Sequence, residues 1–176
     1  MGFKAFKDHF GIENHIVSIQ DGVLHIGSDF VSRLVGFDMQ TGKVLINDAF
    51  SGFLSKQYPE ILNCTDEERL ALIQTQDQFK QSIPVYTSLN GQIIEKKCEA
   101  LGFPNVTHDG EIMYENSHFS NEADAVKYEQ LNLQCKIEIQ QSSISDLEAK
   151  LAEKKRNLAE TKKQLDQLNS TYSLVS

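Results

Sequence analysis

From Ala123 to Tyr172 apolar residues return every seven positions, with neither Gly nor Pro between them. With Ile137 at heptad position a, Ile144, Leu151, Leu158, Leu165 and Tyr172 also fall at a, while Val126, Leu133, Gln140, Leu147, Lys154, Thr161 and Leu168 occupy d. A seam that is apolar at each of these a positions but alternates at d predicts a coiled-coil helix over 120–172 with a weakened second row. Residues 173–176 then form a flexible tail. About 50 residues rising ~1.5 Å each make a rod of roughly 75 Å, too long to bury its stripe against the segment 1–119. Ile137, Ile144, Leu147, Leu151, Leu158, Leu165 and Leu168 are therefore expected to oligomerise the chain. In a parallel pair Lys150 at g meets Lys155 at e of the partner, a like-charge contact, so an antiparallel or four-helix arrangement, or packing of the rod on another protein, competes on at least equal terms.

The first 119 residues carry shorter periods. Phe3, Phe6 and Phe10 recur at helical spacing ahead of Gly11, predicting a short amphipathic helix with a C′ glycine. Asp21-Gly22 predicts a two-residue type I′ hairpin over 16–27. In that register Ile19 faces Leu24 and Val17 faces Ile26 on one side, with Ser18 and an outward-facing His25 on the other. A second hairpin from Val31 to Asn47, turning through Asp38 to Lys43, completes a four-stranded antiparallel meander. Asp48 to Tyr58 reads as loop. Thr65-Asp66-Glu67-Glu68 is a capping box that starts a helix over 66–81, with Leu70, Leu72, Ile73 and Phe79 on its buried side. Ile83 to Thr87 reads as a strand and Asn90-Gly91 as a turn. Ile94, Cys98 and Leu101 at four- and three-residue spacing predict a helix over 92–101, stopped by Gly102-Phe103-Pro104. Asp109-Gly110 precedes a strand at 111–114, and Ser120 or Asn121 caps the long helix. The fold class is α+β: a meander-and-helix head on a C-terminal coiled-coil helix.

Charge narrows the function. With 25 acidic against 17 basic side chains the net charge is −8, and no long basic run offers itself to a phosphate backbone, so direct duplex nucleic-acid binding is not expected. Cys64, Cys98 and Cys135 are widely spaced and lack a C-x-x-C pair, which fits a reducing cytosol rather than a disulfide framework or structural zinc. No stretch approaches a membrane span, no signal peptide is read at the start, and Gly2 lacks the context of a myristoylation site.

Phosphate-cradling and hydrolase signatures are absent, so no catalytic residue and no cofactor is expected. The densest polar cluster holds Asn105, His108, Asp109, Glu111, Glu115, Asn116 and His118. Within it His108, Asp109, Tyr114, Asn116 and His118 are the candidate ligand-binding residues. If His108 and His118 flank the Asp109-Gly110 turn, they could meet a carboxylate at a metal site, although their spacing matches no established motif.

The run Ile83-Pro84-Val85-Tyr86, Gly91, Ile94-Glu95-Lys96, Cys98, Gly102-Phe103-Pro104-Asn105 and Thr107-His108-Asp109-Gly110-Glu111-Ile112-Met113-Tyr114-Glu115-Asn116 resembles a segment of small tailed-bacteriophage proteins. It covers residues 83–128 at most and brings no activity or site residue with it. What the resemblance implies is a setting, the cytosol of a bacterial host. Three expectations follow. The first is a non-enzymatic oligomer that binds and blocks a host protein, such as a defence factor. The second is an oligomeric sponge for a signalling nucleotide, with an inter-subunit pocket around His108, Tyr114 and Asn116. The third is a metal-dependent nuclease or hydrolase using His108, Asp109 and His118.

Overall fold

Phe3, Phe6 and Phe10 share one face of a first helix and are all buried, so the chain begins by building its own core. The computed structural model describes residues 2–46, 50 and 52–172. The chain divides into two compact units, residues 1–127 and 128–176. Helix α1 spans Phe3–His9 and is followed by Gly11 at φ +58°, the left-handed position that favours glycine. Strands β1 (Ile16–Gln20) and β2 (Val23–Gly27) turn through Asp21 and Gly22 at φ +54° and +76°, both left-handed, as a type I′ turn requires. The register is the predicted one, with Ile19 opposite Leu24, Ser18 opposite His25 and Val17 opposite Ile26. Strands β3 (Val35–Asp38) and β4 (Val44–Ile46) extend the sheet in the order β1-β2-β3-β4, all antiparallel. The second predicted hairpin ended at Asn47, which lies outside the described residues. Asp38 holds its turn together by accepting from the Thr41 hydroxyl and from the Gln40 and Thr41 amides, hydrogen bonds that also lower its carboxyl pKa.

The other face of the β1–β2 ribbon is not solvent-facing. Ser18 is buried and His25 is only 9 % exposed. The imidazole finds room because Gly36 stands opposite His25; a Cβ there would come within 3.3 Å of the ring nitrogen Nδ1. The Ile19 amide donates to the Gly110 carbonyl at 2.7 Å, bringing the 107–111 turn against the outer side of β1.

Three further expectations are corrected. The predicted loop at 48–58 contains helix α2 (Phe53–Gln57), which buries Leu54; Asp48, Ala49 and Ser51 lie outside the described residues. Pro59 at the first position then opens α3 (Pro59–Asn63). Helix α4 (Asp66–Gln74) starts at the predicted capping box, but it stops well before the predicted end at 81. Its last turn is closed from outside: the Gly2 amide donates to the Ile73 carbonyl at 2.8 Å, and the Asp77 carboxylate accepts from the Ala5 amide at 2.8 Å. Phe79 reaches the core from extended chain, tilted against Phe3 with ring centroids 6.0 Å apart.

The third correction is at 92–101, which is a strand and not a helix. Strand β5 (Ile83–Leu89) turns through Asn90 and Gly91 at φ +52° and +80° and pairs along its whole length with β6 (Gln92–Cys98). A two-residue turn of this kind sets an antiparallel register, and the β-branched Ile93 and Ile94 suit it. Gly102-Phe103-Pro104 therefore stops no helix. It leads, through a cis Phe103–Pro104 peptide, into β7 (Asn105–Val106), which pairs with β8 (Ile112–Met113). Val85, Cys98 and Met113 form a second small core beside the main one. Burial raises the Cys98 thiol pKa, so this cysteine packs as a neutral thiol.

Helix α5 spans Glu122–Tyr172, and Asn121 caps it by accepting from the Asp124 amide at 2.9 Å. The predicted tail at 173–176 lies outside the described residues. No helix among the described residues is long and apolar enough to cross a membrane.

Arg69, 5 % exposed, is the polar centre of the head. Its guanidinium donates to the carbonyls of Gly42 at 3.0 Å, Ile61 at 2.9 Å and Cys64 at 2.5 Å, and pairs with Asp66. One side chain thus joins the β3–β4 turn, the end of α3 and the start of α4. Arg69→Met keeps the stem but strands three carbonyls, and is expected to lower unfolding free energy by about 2–4 kcal/mol in urea titrations.

Candidate functional site

The misread segment supplies the central charge. Because 92–98 is a strand, Lys96 on β6 stands beside the 107–111 turn, and its ammonium lies 2.7 Å from Asp109 Oδ2 and also pairs with Glu111. The turn is built around the buried Thr107 hydroxyl, which donates to Asp109 Oδ1 and accepts from the Glu111 amide at 3.1 Å. Gly110 has φ +90°, and a Cβ there would come within 2.8 Å of the Ile19 side chain, so no larger residue fits without displacing β1. An open cleft of about 590 Å³ lies between this turn and β1, lined by Ser18, Asp21, Lys96, Asp109, Glu111 and Tyr114 among others.

Electrostatics in the cleft are internally matched. Burial works against the Lys96 charge, but hydrogen bonds to Asp109 and Glu111 outweigh it and raise the pKa. Burial likewise opposes ionisation of Asp109, yet Lys96 and Thr107 hold its carboxyl below the ordinary aspartate value. Asp109 and Glu111 face the Lys96 ammonium while Asp21 pairs with the Arg33 guanidinium at 3.7 Å, so this acidic wall has its cations already engaged.

The sequence-predicted ligand residues do not gather at one point. Asp109 and Tyr114 line the cleft, and Asn116 is exposed outside it. His108 stacks flat on Phe79, ring centroids 3.7 Å apart and 7° between planes. His118 is 1 % exposed, with Nδ1 2.9 Å from the Ser117 hydroxyl and Nε2 3.8 Å from Glu111 Oε1. It also borders a smaller apolar pocket of about 360 Å³ with Val85, Leu101, Phe103 and Phe119. Among the described residues no group of three or more His, Cys, Asp or Glu is placed to hold a metal ion, so the set His108, Asp109 and His118 is not assembled as one. Lys96, Ser18 and Asp21 are among the cleft residues that sequence reading missed. The Asn90-Gly91 turn was the signal for Lys96, since a hairpin there places it on a strand near the 107–111 turn.

No protein-family model, curated protein or solved structure matches the chain.

The second candidate surface is the seam of α5. Ile137, Ile144, Leu147, Leu151, Leu158, Leu165, Leu168 and Tyr172 are between 46 and 68 % exposed in a single copy. These side chains form an apolar stripe along one face of the helix, interrupted at d by Gln140, Lys154 and Thr161.

Two outcomes test the cleft. In Lys96→Met the Asp109 carboxyl loses its cation, so its carbon resonance is expected to titrate at higher pH than in the parent protein. Burial lowers the His118 pKa from the ordinary value of 6.5, with Glu111 pulling the other way. The unfolded chain takes up this proton below that value and the folded chain does not, so stability is full above it and is lost as pH falls toward the lower folded value. His118→Leu is expected to shrink the drop in urea midpoint between neutral pH and about pH 5.

Proposed function

We propose that this chain is a non-enzymatic interaction protein, self-associating along α5 and presenting its α+β head to a protein partner. The observation that carries this reading is the exposed seven-residue apolar seam on a 51-residue helix. A helix satisfies its own backbone hydrogen bonds, but it cannot bury a stripe that runs along its whole length without a second surface. The resemblance of residues 83–128 to tailed-bacteriophage proteins supports a bacterial host protein, such as a defence factor, as the partner. Blocking would be steric, strengthened by more than one head on one assembly.

The chemistry of the cleft weighs against the other expectations. A nucleotide sponge needs free cationic or amide donors for phosphate, whereas Lys96 is spent on Asp109 and Glu111 in an acidic wall. A metal-dependent hydrolase needs a ligand set that the described residues do not assemble.

Leu151→Asp with Leu158→Asp places carboxylates in two adjacent a layers. Light scattering of the purified variant is expected to give the single-chain mass where the parent gives a multiple. An unaltered mass would remove the seam as the association surface. In pull-downs from bacterial lysate the variant should retain the partner less well than the parent, because avidity is lost.

A further inference from the structure

We infer that α5 pairs with a second copy of itself in antiparallel orientation, in the register that sets Leu151 beside Leu147 of the second copy. This rests on the self-association reading above and fixes its geometry. The argument begins with Glu148 and Lys155, both at heptad position e. Residues three and four away from Glu148 are Ser145, Leu151, Ile144 and Ala152; those around Lys155 are Ala152, Leu158, Leu151 and Ala159. Neither charge therefore has an opposite partner within its own helix turn, unlike Asp146 with Lys150 or Lys162 with Asp166. Among the described residues neither takes part in a salt bridge in the single chain.

A parallel, in-register pair treats these charges badly. Lys154 at d would lie across from Lys154 of the second copy inside the seam, and Lys150 would meet Lys155 on both flanks. Glu148 would face only Ser143. Reversing one helix changes each contact. Position a then packs beside d of the other chain, e flanks e and g flanks g. In the stated register Lys154 sits beside Ile144 instead of a second ammonium, and Gln140 sits beside Leu158. The ends match as well: Leu133 meets Leu165 and Val126 meets Tyr172, so the pairing uses the seam from one end to the other. Glu148 flanks Lys155 of the second copy, a contact that occurs twice by symmetry, and lies about one helical turn along the seam from Lys154. Two like-charged contacts remain at the two-fold axis: Lys150 with its own copy, which Asp146 one turn away on the same helix offsets, and Glu148 with its own copy, which Lys155 of the second copy offsets. Three lysine–lysine contacts in the parallel pair thus become one, and the Glu148–Lys155 pairs replace the Glu122–Lys127 pairs that the parallel arrangement would make.

The consequence is spatial. The N-terminal ends of the two paired segments lie about 70 Å apart at ~1.5 Å per residue.

Sedimentation equilibrium on the full chain reads the orientation through opposite signs. Lys155→Glu puts a second carboxylate against Glu148 in the antiparallel pair and is expected to weaken the dimer about tenfold at low salt; in a parallel pair it replaces Lys150–Lys155 repulsion with attraction and tightens it. Glu148→Lys combined with Lys155→Glu restores the antiparallel contact and is expected to return the dissociation constant to near the parent value. A Lys155→Glu dimer as tight as the parent or tighter overturns the orientation alone. A double variant no tighter than Lys155→Glu also overturns it, as does a parent mass of three or more chains. A parent chain that stays monomeric at the highest accessible concentration overturns the self-association reading itself.

Discussion

Length without a backing surface is the constraint on which everything else turns. Helix α5 runs from Glu122 to Tyr172 without a helix breaker, and its backbone is satisfied internally throughout. Its side chains are not. Fully burying one Leu or Ile is worth roughly 1.5–3 kcal/mol, and half-exposed residues repeated at each turn of the seam leave much of that free energy unrealised. Isolated helices, moreover, derive little stability from propensity alone. The seam is thus an apolar surface that the single chain leaves uncovered.

The head answers a different problem, that of a modest core made from short elements. It uses two clusters of buried side chains rather than one, and joins its pieces with polar ties at the places where elements end. Arg69 does this for three carbonyls at once, and Thr107 does it for the turn that positions Asp109 and Glu111. The Thr107 tie fixes one wall of the cleft, and Lys96 in turn engages Asp109 and Glu111, so the cleft is an acidic surface whose central ammonium is paired.

Local codes were legible in the sequence and distant ones were not. The β1–β2 register could be read residue by residue because Asp21-Gly22 defines a turn of fixed length and the apolar alternation agrees with it. The Thr65–Glu68 capping box was equally plain. The 92–101 segment failed because Ile94, Cys98 and Leu101 fit a helical period by chance, while the deciding signal lay just upstream in Asn90-Gly91. A helix there would carry Lys96 away from the centre of the cleft, although Asp109, Glu111 and Tyr114 stand in or beside the polar cluster. Ser18 and Asp21 reach the same cleft from the first hairpin, a proximity no local pattern encodes. Arg69 was invisible for a related reason: Gly42, one of its acceptors, is 27 positions away, and a carbonyl leaves no trace in residue type.

The bond between the Ile19 amide and the Gly110 carbonyl has a further bearing on how the head can recognise anything. It occupies the free margin of the meander at β1, while β4 at the opposite margin is only three residues long. An extended peptide added as another strand would have to displace this bond at β1 or pair with the short β4. At Ile19 the 107–111 turn thus takes the place that an added strand would occupy, and blunts that edge of the sheet against templating its own aggregation.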